Sequence, residues 1–445
     1  MDHTATLTTG PIGKKIVKLM LPMMVGMISM VIFNLVDTLF IGRLGTEQLA
    51  AMSFTLPVVS LIGSFAMGLG LGASSIISRA IGSSNHDRVK RITSDSLILS
   101  VILVLIFAII GLLTIKPLFT ILGADTHMLA MIREYMIIWY LGVPFVVIPM
   151  VGNNAIRATG NTTIPSIIML AAVFVNVVLD PILIFGLGPF PRMELAGAAL
   201  ATVIARASTL IVSLLFLKFK FDMISTVLPK FKTLLESWGK ILYIGIPAAI
   251  TQMIIPISIG VITRLVSGFG PESVAALGVS TRIEMFALSP LMALSSILVP
   301  FTGQNFGAGK IDRIQRGVKI SYYISIIIGL MMFILFIFTG KYIGTIFNSD
   351  PLIVSAVHLY LIIVSASYGF QGIIMITAST FNALHKPINS AILNIIKMFG
   401  LYIPLAYIGA DVFGLKGVFI GASLSSLIAG SIAVLWIKRS LKNLL

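Results

Sequence analysis

Twelve apolar stretches, each long enough to cross a lipid bilayer, run through the chain from one end to the other. A membrane-spanning helix needs about 20 predominantly apolar residues. Charged residues make up only 11% of the 445 residues, less than half of the roughly 25% usual in soluble domains, so lipid must surround most of the chain. We therefore predict an all-α polytopic membrane protein with twelve transmembrane helices, near residues 16–41, 49–78, 92–115, 130–156, 164–186, 195–217, 240–267, 274–303, 318–345, 352–382, 388–409 and 414–437.

Positive charge distinguishes the two sides of the membrane. With twelve spans, both termini lie on the same side. Of the 31 Lys and Arg residues, 21 fall on the side of the termini and 6 on the opposite side. Because cytoplasmic loops carry an excess of Lys and Arg, we predict a multi-pass protein of the plasma (inner) membrane with both termini cytoplasmic. The same bias accounts for much of the net charge of +15 and argues against a nucleic-acid partner.

The sequence lacks the residues that several classes of function require. Cysteine is absent, which excludes thiol and Cys–metal chemistry, and the 5 His residues show no paired metal-ligand spacing. We find no nucleophile–base pair of the kind a membrane-embedded enzyme needs, so the chain is not expected to be an enzyme. Nothing in the spans resembles the selectivity filter of an ion channel.

The second half of the chain repeats the first. A shift of 225 residues aligns the first two spans with the seventh and eighth without a gap, and it places Pro22 on Pro247 and Arg88 on Arg313. Halves separated by an even number of spans have the same orientation, so these are parallel repeats, which in transporters usually rock against each other around a substrate. We predict two six-helix lobes, 1–217 and 241–445, joined by a cytoplasmic linker, 218–240.

Asp37 is an acid within the first span. A carboxyl group at membrane depth is costly and marks a functional site by default. The repeat-related residue is Ile262, so the fold does not demand an acid at this position. We favour a functional role over a packing hydrogen bond.

Asn176 and Asp180 are four residues apart in the fifth span, which places them on one helix face. Pro181 follows, and because proline has no N–H, the carbonyl of Val177 loses its helical donor. A cluster of oxygens with one or two carboxylates suits a Na⁺ ion or a proton. The alternative interpretation is a polar kink that the protein itself solvates.

Depth along the helices groups these residues with two others. At about 1.5 Å per residue, Asp37, Asp180 and Thr202 reach a similar level in the outer half of the first lobe, and Tyr135 in the fourth span reaches the same layer. We therefore expect these four side chains to be able to meet.

Two further features remain open between functional and structural roles. Arg282 and Glu284 lie in the eighth span where the first half has Pro57 and Val59, and each needs its own partner because they point to different helix faces. Pro22 is a candidate hinge in the first span, although its duplicate Pro247 also suits a general architectural role. Two other intramembrane cations, Lys397 and Arg206, are interpreted as structural.

Taken in order along the chain, these segments resemble the multidrug and toxic compound extrusion (MATE) family. The resemblance covers nearly the whole chain, and its second-half motifs are similar to the DinF-like branch. No single motif is decisive, but the set in order is specific. The segments are Pro22 to Asp37 with Phe40 to Gly45, Asn176 to Pro181, Gly197 to Thr202, Thr281 to Glu284 and Pro300 to Asn305.

The resemblance implies a V-shaped pair of lobes around a central cavity and a secondary antiporter that exports cationic or amphiphilic molecules in exchange for H⁺ or Na⁺. It implies no cofactor besides the coupling ion, and we expect a monomer in contact with membrane lipid. Asp37 is then the protonation site, and the Na⁺ site comprises Asp37, Asn176, Asp180 and Thr202. The substrate cavity is expected to include Asp37, Tyr135, Asn153, Asn154, Arg282 and Glu284.

The NorM-like branch of the family carries acids in its seventh and tenth helices. Here the tenth span, which includes the segment from Gln371 to Met375, has no acid, and the seventh span has none either. That difference argues against a NorM-type site in the second lobe. The alternative function is a flippase of lipid-linked sugars or lipids from the same superfamily, but such cavities tend to be more cationic than this first lobe.

Overall fold

The fold is entirely helical in the part of the chain that the structure, a computed structural model, describes, which is residues 5–227 and 230–444. A short 3-10 turn (Thr6–Thr8) comes first. The helices of the first half are α1 (Ile12–Gly42), α2 (Thr46–Gly82), α3 (His86–Ile121), α4 (Thr126–Ala158), α5 (Thr163–Phe185) and α6 (Glu194–Leu215). Those of the second half are α7 (Phe231–Ser267), α8 (Pro271–Gly307), α9 (Ile311–Phe347), α10 (Pro351–Ser365), α11 (Tyr368–Ala383), α12 (Pro387–Ile395), α13 (Ile403–Phe413) and α14 (Leu415–Lys442).

The prediction of twelve spans is confirmed, with one span broken. Eleven continuous helices in the described part of the chain are long and apolar enough to cross a membrane. The twelfth span is the pair α10 and α11, which bend by 54° where they meet. One further span contains an irregular stretch, because a π-helical segment (Ile396–Tyr402) joins α12 to α13 and makes one helix of Pro387–Phe413.

The central break of the chain is shorter than predicted. A π-helical turn, Phe216–Lys220, extends α6, and α7 begins at Phe231. The predicted linker 218–240 therefore contains helix at both ends. The reason is length, since the 37 residues of α7 exceed the roughly 20 needed to cross the hydrocarbon. Its first turns, which carry Lys232, Glu236 and Lys240, extend beyond the apolar part of the span.

The first compact unit comprises residues 25–249. Helix α4 packs against α2, α3 and α6, and α5 packs along α6. Tyr140, Phe119 and Trp139 are buried in the apolar core that these helices share. Helices α2 and α7 approach closely because Gly68 has no side chain, and a Cβ there would collide with the carbonyl oxygen of Gly245. Small residues at such crossings are typical of membrane helix packing.

The second compact unit comprises residues 5–24 and 250–445. Helix α8 packs against α9, α10 and α11, and α14 packs against α11 and α13. A Cβ at Gly417 would collide with the carbonyl oxygen of Gly409, so glycine is required where α13 and α14 meet. Ile262 belongs to the apolar core of this unit and is 2% exposed.

The boundaries of the two units fall inside two helices rather than in the predicted linker. The division lies between Met24 and Val25 in α1, and between Ala249 and Ile250 in α7. Both points lie shortly after a proline, Pro22 in α1 and its repeat-related residue Pro247 in α7. A proline removes a helical hydrogen bond and favours a bend. The hinge role of Pro22 remains a prediction.

A segment before α1 is held to the second unit by polar side chains of α8 and α9. The backbone N–H of Leu7 donates to Oε1 of Gln304 at 3.1 Å, and Nδ2 of Asn305 donates to the carbonyl oxygen of Leu7 at 3.2 Å. The Arg313 guanidinium donates to the carbonyls of Leu7, Thr9 and Gly10. Gln304 and Asn305 end one of the motifs of the family resemblance, and their role here is to anchor this segment.

Replacing Arg313 by Gln should release that segment without unfolding the protein. The change removes three donated bonds to backbone carbonyls and one to Oδ1 of Asn305. We expect amide hydrogen exchange across residues 5–10 to accelerate about five- to thirtyfold, as expected for losing one or two net hydrogen bonds of roughly 1 kcal/mol each. Arg316→Gln on the same helix is the control, because that side chain is exposed. Unchanged exchange in Arg313→Gln would show that other contacts hold the segment.

Candidate functional site

The predicted pair on α5 forms a buried polar contact. Nδ2 of Asn176 donates to Oδ1 of Asp180 at 2.9 Å, and both side chains are fully buried. The remaining oxygens, Oδ1 of Asn176 and Oδ2 of Asp180, have no hydrogen-bond partner. Unsatisfied buried oxygens are rare and need an explanation. Both of these acceptor atoms lie on one helix face, where neither receives a hydrogen bond.

Asp37 on α1 lies close enough to Asp180 for the two carboxylate charges to interact. Asp37 is 8% exposed, and its Oδ1 also lacks a hydrogen-bond partner. Tyr135 on α4 is buried and lies within electrostatic range of both acids. Of the four side chains grouped by depth, Asp37, Tyr135 and Asp180 thus lie within electrostatic range of one another, with Asn176 bonded to Asp180. Two ionised carboxylates that interact in a low dielectric repel each other unless a proton or another cation neutralises them.

The chemistry of these atoms restricts the ion. No group of three or more His, Cys, Asp or Glu side chains that could hold a metal occurs among the described residues. Carboxylate and amide oxygens suit hard cations, and carboxylates also accept protons. The site can thus neutralise its charge with H⁺ or Na⁺.

The other predicted residues of the first unit lie outside this contact. Thr202 is half-buried on α6 and makes no hydrogen bond to Asn176 or Asp180 in the described part of the chain. Asn154 donates to the carbonyl oxygen of Met150 at 2.8 Å, and Oδ1 of Asn153 is buried without a partner. Their places in the Na⁺ site and the substrate cavity remain predictions.

The second unit contains a different charged group. The hydroxyl of Tyr360 on α10 donates to Oε2 of Glu284 on α8 at 2.6 Å. Lys397, in the π-helical segment, interacts electrostatically with Glu284. Arg282 is exposed and lies apart from this group, as expected for two residues on different helix faces.

Sequence reasoning missed Tyr360, although the repeat contains the signal for it. Tyr360 lies 225 positions after Tyr135, so each unit places a buried tyrosine at the same point of its fourth helix. In both units that tyrosine lies beside an acid. The acids themselves differ, since Asp37 corresponds to the buried Ile262 and Glu284 corresponds to Val59. The tyrosine therefore occupies equivalent positions in the two units, whereas the acid beside it comes from a different position in each.

The profile of the MatE family matches the chain twice, over residues 22–182 and 247–408. The chain belongs to the MATE family. The two matches begin 225 residues apart, which confirms the predicted repeat. Members of the MATE family are membrane transporters, so this MATE chain is a transporter and not an enzyme.

Curated relatives of the MATE chain differ in their named substrates. A protein of Shewanella oneidensis named FAD transporter is 37% identical over 95% of this chain and 94% of its own length. The multidrug export protein MepA of Staphylococcus aureus is 30% identical over 96% of this chain and 92% of its own length. Both likenesses extend over nearly the full length of each protein.

Solved structures of MATE transporters match the fold. A mutant of the Vibrio cholerae MATE transporter VcmN superposes with a TM-score of 0.93 at 29% identity, covering 100% of this chain and 99% of that one. An outward-facing multidrug resistance MATE transporter superposes with a TM-score of 0.93 at 27% identity, covering 99% and 98%.

Proposed function

We propose that this MATE transporter is a secondary antiporter that exports small molecules in exchange for H⁺ or Na⁺, with coupling at Asp37, Asn176 and Asp180. The observation that carries the proposal is the meeting of two buried carboxylates and three unpartnered oxygens within one unit. Intramembrane acids in transporters commonly relay ions or protons.

The coupling follows from charge. With the site empty of cation, Asp37 and Asp180 repel, and a cationic substrate near them is attracted. When H⁺ or Na⁺ binds, it removes that repulsion and allows α1 to move closer to α5, with bending at Pro22. The attraction for the cationic substrate falls at the same time, so ion entry releases substrate. Such exchange requires that the two conformations bind the ion with different affinities.

The substrate class we favour is cationic or amphiphilic small molecules. The relative MepA is named a multidrug export protein, and the first unit carries two interacting acids. Export of FAD is a second candidate, because the relative from Shewanella oneidensis is named an FAD transporter and the second unit holds an intramembrane cation, Lys397. Lipid-linked sugars remain the alternative cargo of a flippase.

Transport by purified protein in liposomes tests this proposal. Ethidium, FAD and an anionic lipid-linked sugar are offered separately, and the H⁺ and Na⁺ gradients are collapsed one at a time. We expect ethidium or FAD transport that stops when one of the two gradients is removed. Transport that continues without either gradient would contradict antiport. Transport of the lipid-linked sugar alone would favour the flippase.

Placement in the plasma (inner) membrane with both termini cytoplasmic is part of the proposal and predicts which loops are accessible. Ser84 between α2 and α3 and Thr126 at the start of α4 are both exposed, and they flank the 36-residue helix α3. Since the chain has no cysteine, Ser84→Cys and Thr126→Cys each create a single reactive thiol. An impermeant maleimide added outside cells should label Thr126→Cys only. Labelling of Ser84→Cys alone would invert the topology, and labelling of both would contradict it.

A further inference from the structure

Lys397 is a cation in the middle of a membrane span, and no described side chain forms a direct hydrogen bond or ion pair with it. It lies in the π-helical segment Ile396–Tyr402, about 15 Å along the helix from Pro387. In the part of the chain that the structure describes, its ammonium makes no hydrogen bond and no ion pair within 4.0 Å. A charged side chain at this depth normally pairs with another group, so the missing anion calls for an explanation.

Glu284 does not fill this role. It interacts with Lys397 electrostatically but at more than the 4.0 Å of an ion pair, and its Oε2 already accepts the Tyr360 hydroxyl at 2.6 Å. Both Glu284 and Lys397 are only partly buried. The two charges therefore stand apart, and each side chain keeps some exposed surface.

Three tyrosines, Tyr360, Tyr368 and Tyr402, lie within electrostatic range of Glu284. Tyr360 is fixed against Phe419, with ring centroids 5.0 Å apart, and Tyr368 against Phe336, with centroids 6.5 Å apart. The Tyr368 hydroxyl is fully buried without a hydrogen-bond partner. Tyr402, in the same π-helical segment as Lys397, is half-buried and interacts electrostatically with Glu284. Tyrosine rings of this kind stack with planar aromatic molecules, and Tyr402 is the partly exposed one.

The backbone is irregular at this place in two independent ways. The span of α10 and α11 bends by 54° after Ser365 and resumes at Tyr368, and the span that carries Lys397 has a π-helical segment of 7 residues. π-Helical turns occur frequently at functional sites, and broken helices at membrane depth line binding sites in transporters. A purely structural ion pair would require neither irregularity.

The repeat provides an internal comparison. The positions that correspond to Glu284 and Lys397 in the first unit are Val59 and Ala172, and Ala172 is buried. The first unit therefore folds without charged residues at these two positions. The fold itself does not require the charges of Glu284 and Lys397 in the second unit.

We propose that Lys397 is the anion-binding residue of a substrate site in the second unit, which takes a planar aromatic molecule that carries a phosphate. The phosphate completes the ion pair that Lys397 lacks, and the ring lies against Tyr402. Tyr360 holds Glu284 away from Lys397 and so keeps the ammonium available. This inference rests on the second candidate of the proposed function, export of FAD, and it places that kind of cargo in the second unit while the coupling ion binds in the first.

The test uses riboflavin and flavin mononucleotide, which share one ring system and differ by a phosphate. Their fluorescence is titrated with the purified full-length protein. We expect the wild type to bind the mononucleotide at least about tenfold more tightly, as charge-assisted bonds to phosphate provide. Lys397→Met keeps the side-chain length and removes the charge, so the preference should fall to less than about twofold while riboflavin binding persists. Lys341→Gln, which removes an exposed cation from the same unit, should leave the preference unchanged.

Two further variants separate this site from simple structural pairing. Glu284→Gln removes the competing carboxylate and should tighten mononucleotide binding several-fold, whereas a structural ion pair predicts loss of folded protein. Lys397→Arg should retain the preference. Equal binding of both flavins by the wild type, or an unchanged preference in Lys397→Met, would overturn the proposal. The titration is an equilibrium measurement without an ion gradient, so a failure of gradient-driven export and a failure of this site are distinguishable.

Discussion

Asp37→Asn should reduce gradient-driven export about 100-fold, the upper range of typical coupling between two sites, while folded protein remains in the membrane. Asparagine has nearly the same size as aspartate but cannot take up a proton and binds a cation weakly. The substitution also ends the repulsion with Asp180, so the two conformations no longer differ in ion affinity. Export rates of purified variants in liposomes, measured over a range of pH and Na⁺ concentration, provide the check.

The matched control for this variant is Glu134→Gln. Glu134 is exposed and precedes Tyr135 on α4, so the change removes an acid from the same unit without touching the site. The repeat-related substitution Ile262→Asn is a weaker control, because Ile262 is 2% exposed in the apolar core and a buried amide there costs stability. Wild-type rates in a well-expressed Asp37→Asn protein would refute the mechanism.

Asp180→Asn should preserve the fold and damage ion selectivity. The new amide oxygen can still accept the bond from Nδ2 of Asn176, which now spans 2.9 Å, so the local structure persists. With one of two carboxylates gone, a Na⁺-coupled protein should need about tenfold more Na⁺ for half-maximal export, since a lost charged ligand costs roughly 1.5–3 kcal/mol. A proton-coupled protein should instead titrate in one step rather than as a coupled pair.

Asp411→Asn is the control for Asp180→Asn, because Asp411 is an exposed acid at the end of α13 in the other unit. Export by the Asp411→Asn variant should depend on Na⁺ concentration and pH in the same way as export by the wild type. An Asp180→Asn protein with the Na⁺ response and the pH profile of the wild type would show that Asp180 is structural.

The parts of the fold that lipid dictates were predictable from sequence. Apolar length determines the spans, and matched Pro and charged positions reveal the repeat. The contact between Asn176 and Asp180 is equally local, since a spacing of four residues on a helix already places the side chains together. The proximity of Asp37 and Tyr135 to this pair was harder to predict. Depth along a helix shows that residues share a layer of the membrane, but it does not show which helix faces they occupy.

Contacts between distant helices were not predictable in this way. Glu284 finds its partner in Tyr360, 76 positions away, and the choice depends on how α8 and α10 pack. Glu284 and Lys397 interact across a π-helical segment, whose extra residue per turn changes the direction of every later side chain. The prediction that Lys397 is structural considered one helix at a time. Comparing Tyr135 with its repeat-related residue would have identified the second cluster.

The boundaries of the two units could not be predicted from the pattern of polar and apolar residues. Polar composition suggested a linker at 218–240, yet the compact units divide inside α1 and α7. That division depends on which neighbours each half of a long helix contacts, and hydropathy does not contain this information. Its coincidence with Pro22 and Pro247 relates the candidate hinge to the architecture of both repeats.

The most direct test of the central claim measures ion release when substrate binds. Ethidium is added to purified protein in weakly buffered solution, with a pH indicator and a Na⁺-sensitive electrode recording the bulk solution. If a cationic substrate and the coupling ion compete at Asp37, the wild type should release close to one H⁺ or one Na⁺ per ethidium bound, and Asp37→Asn should release neither. Equal release from the wild type and from Asp37→Asn would contradict the assignment of coupling to Asp37.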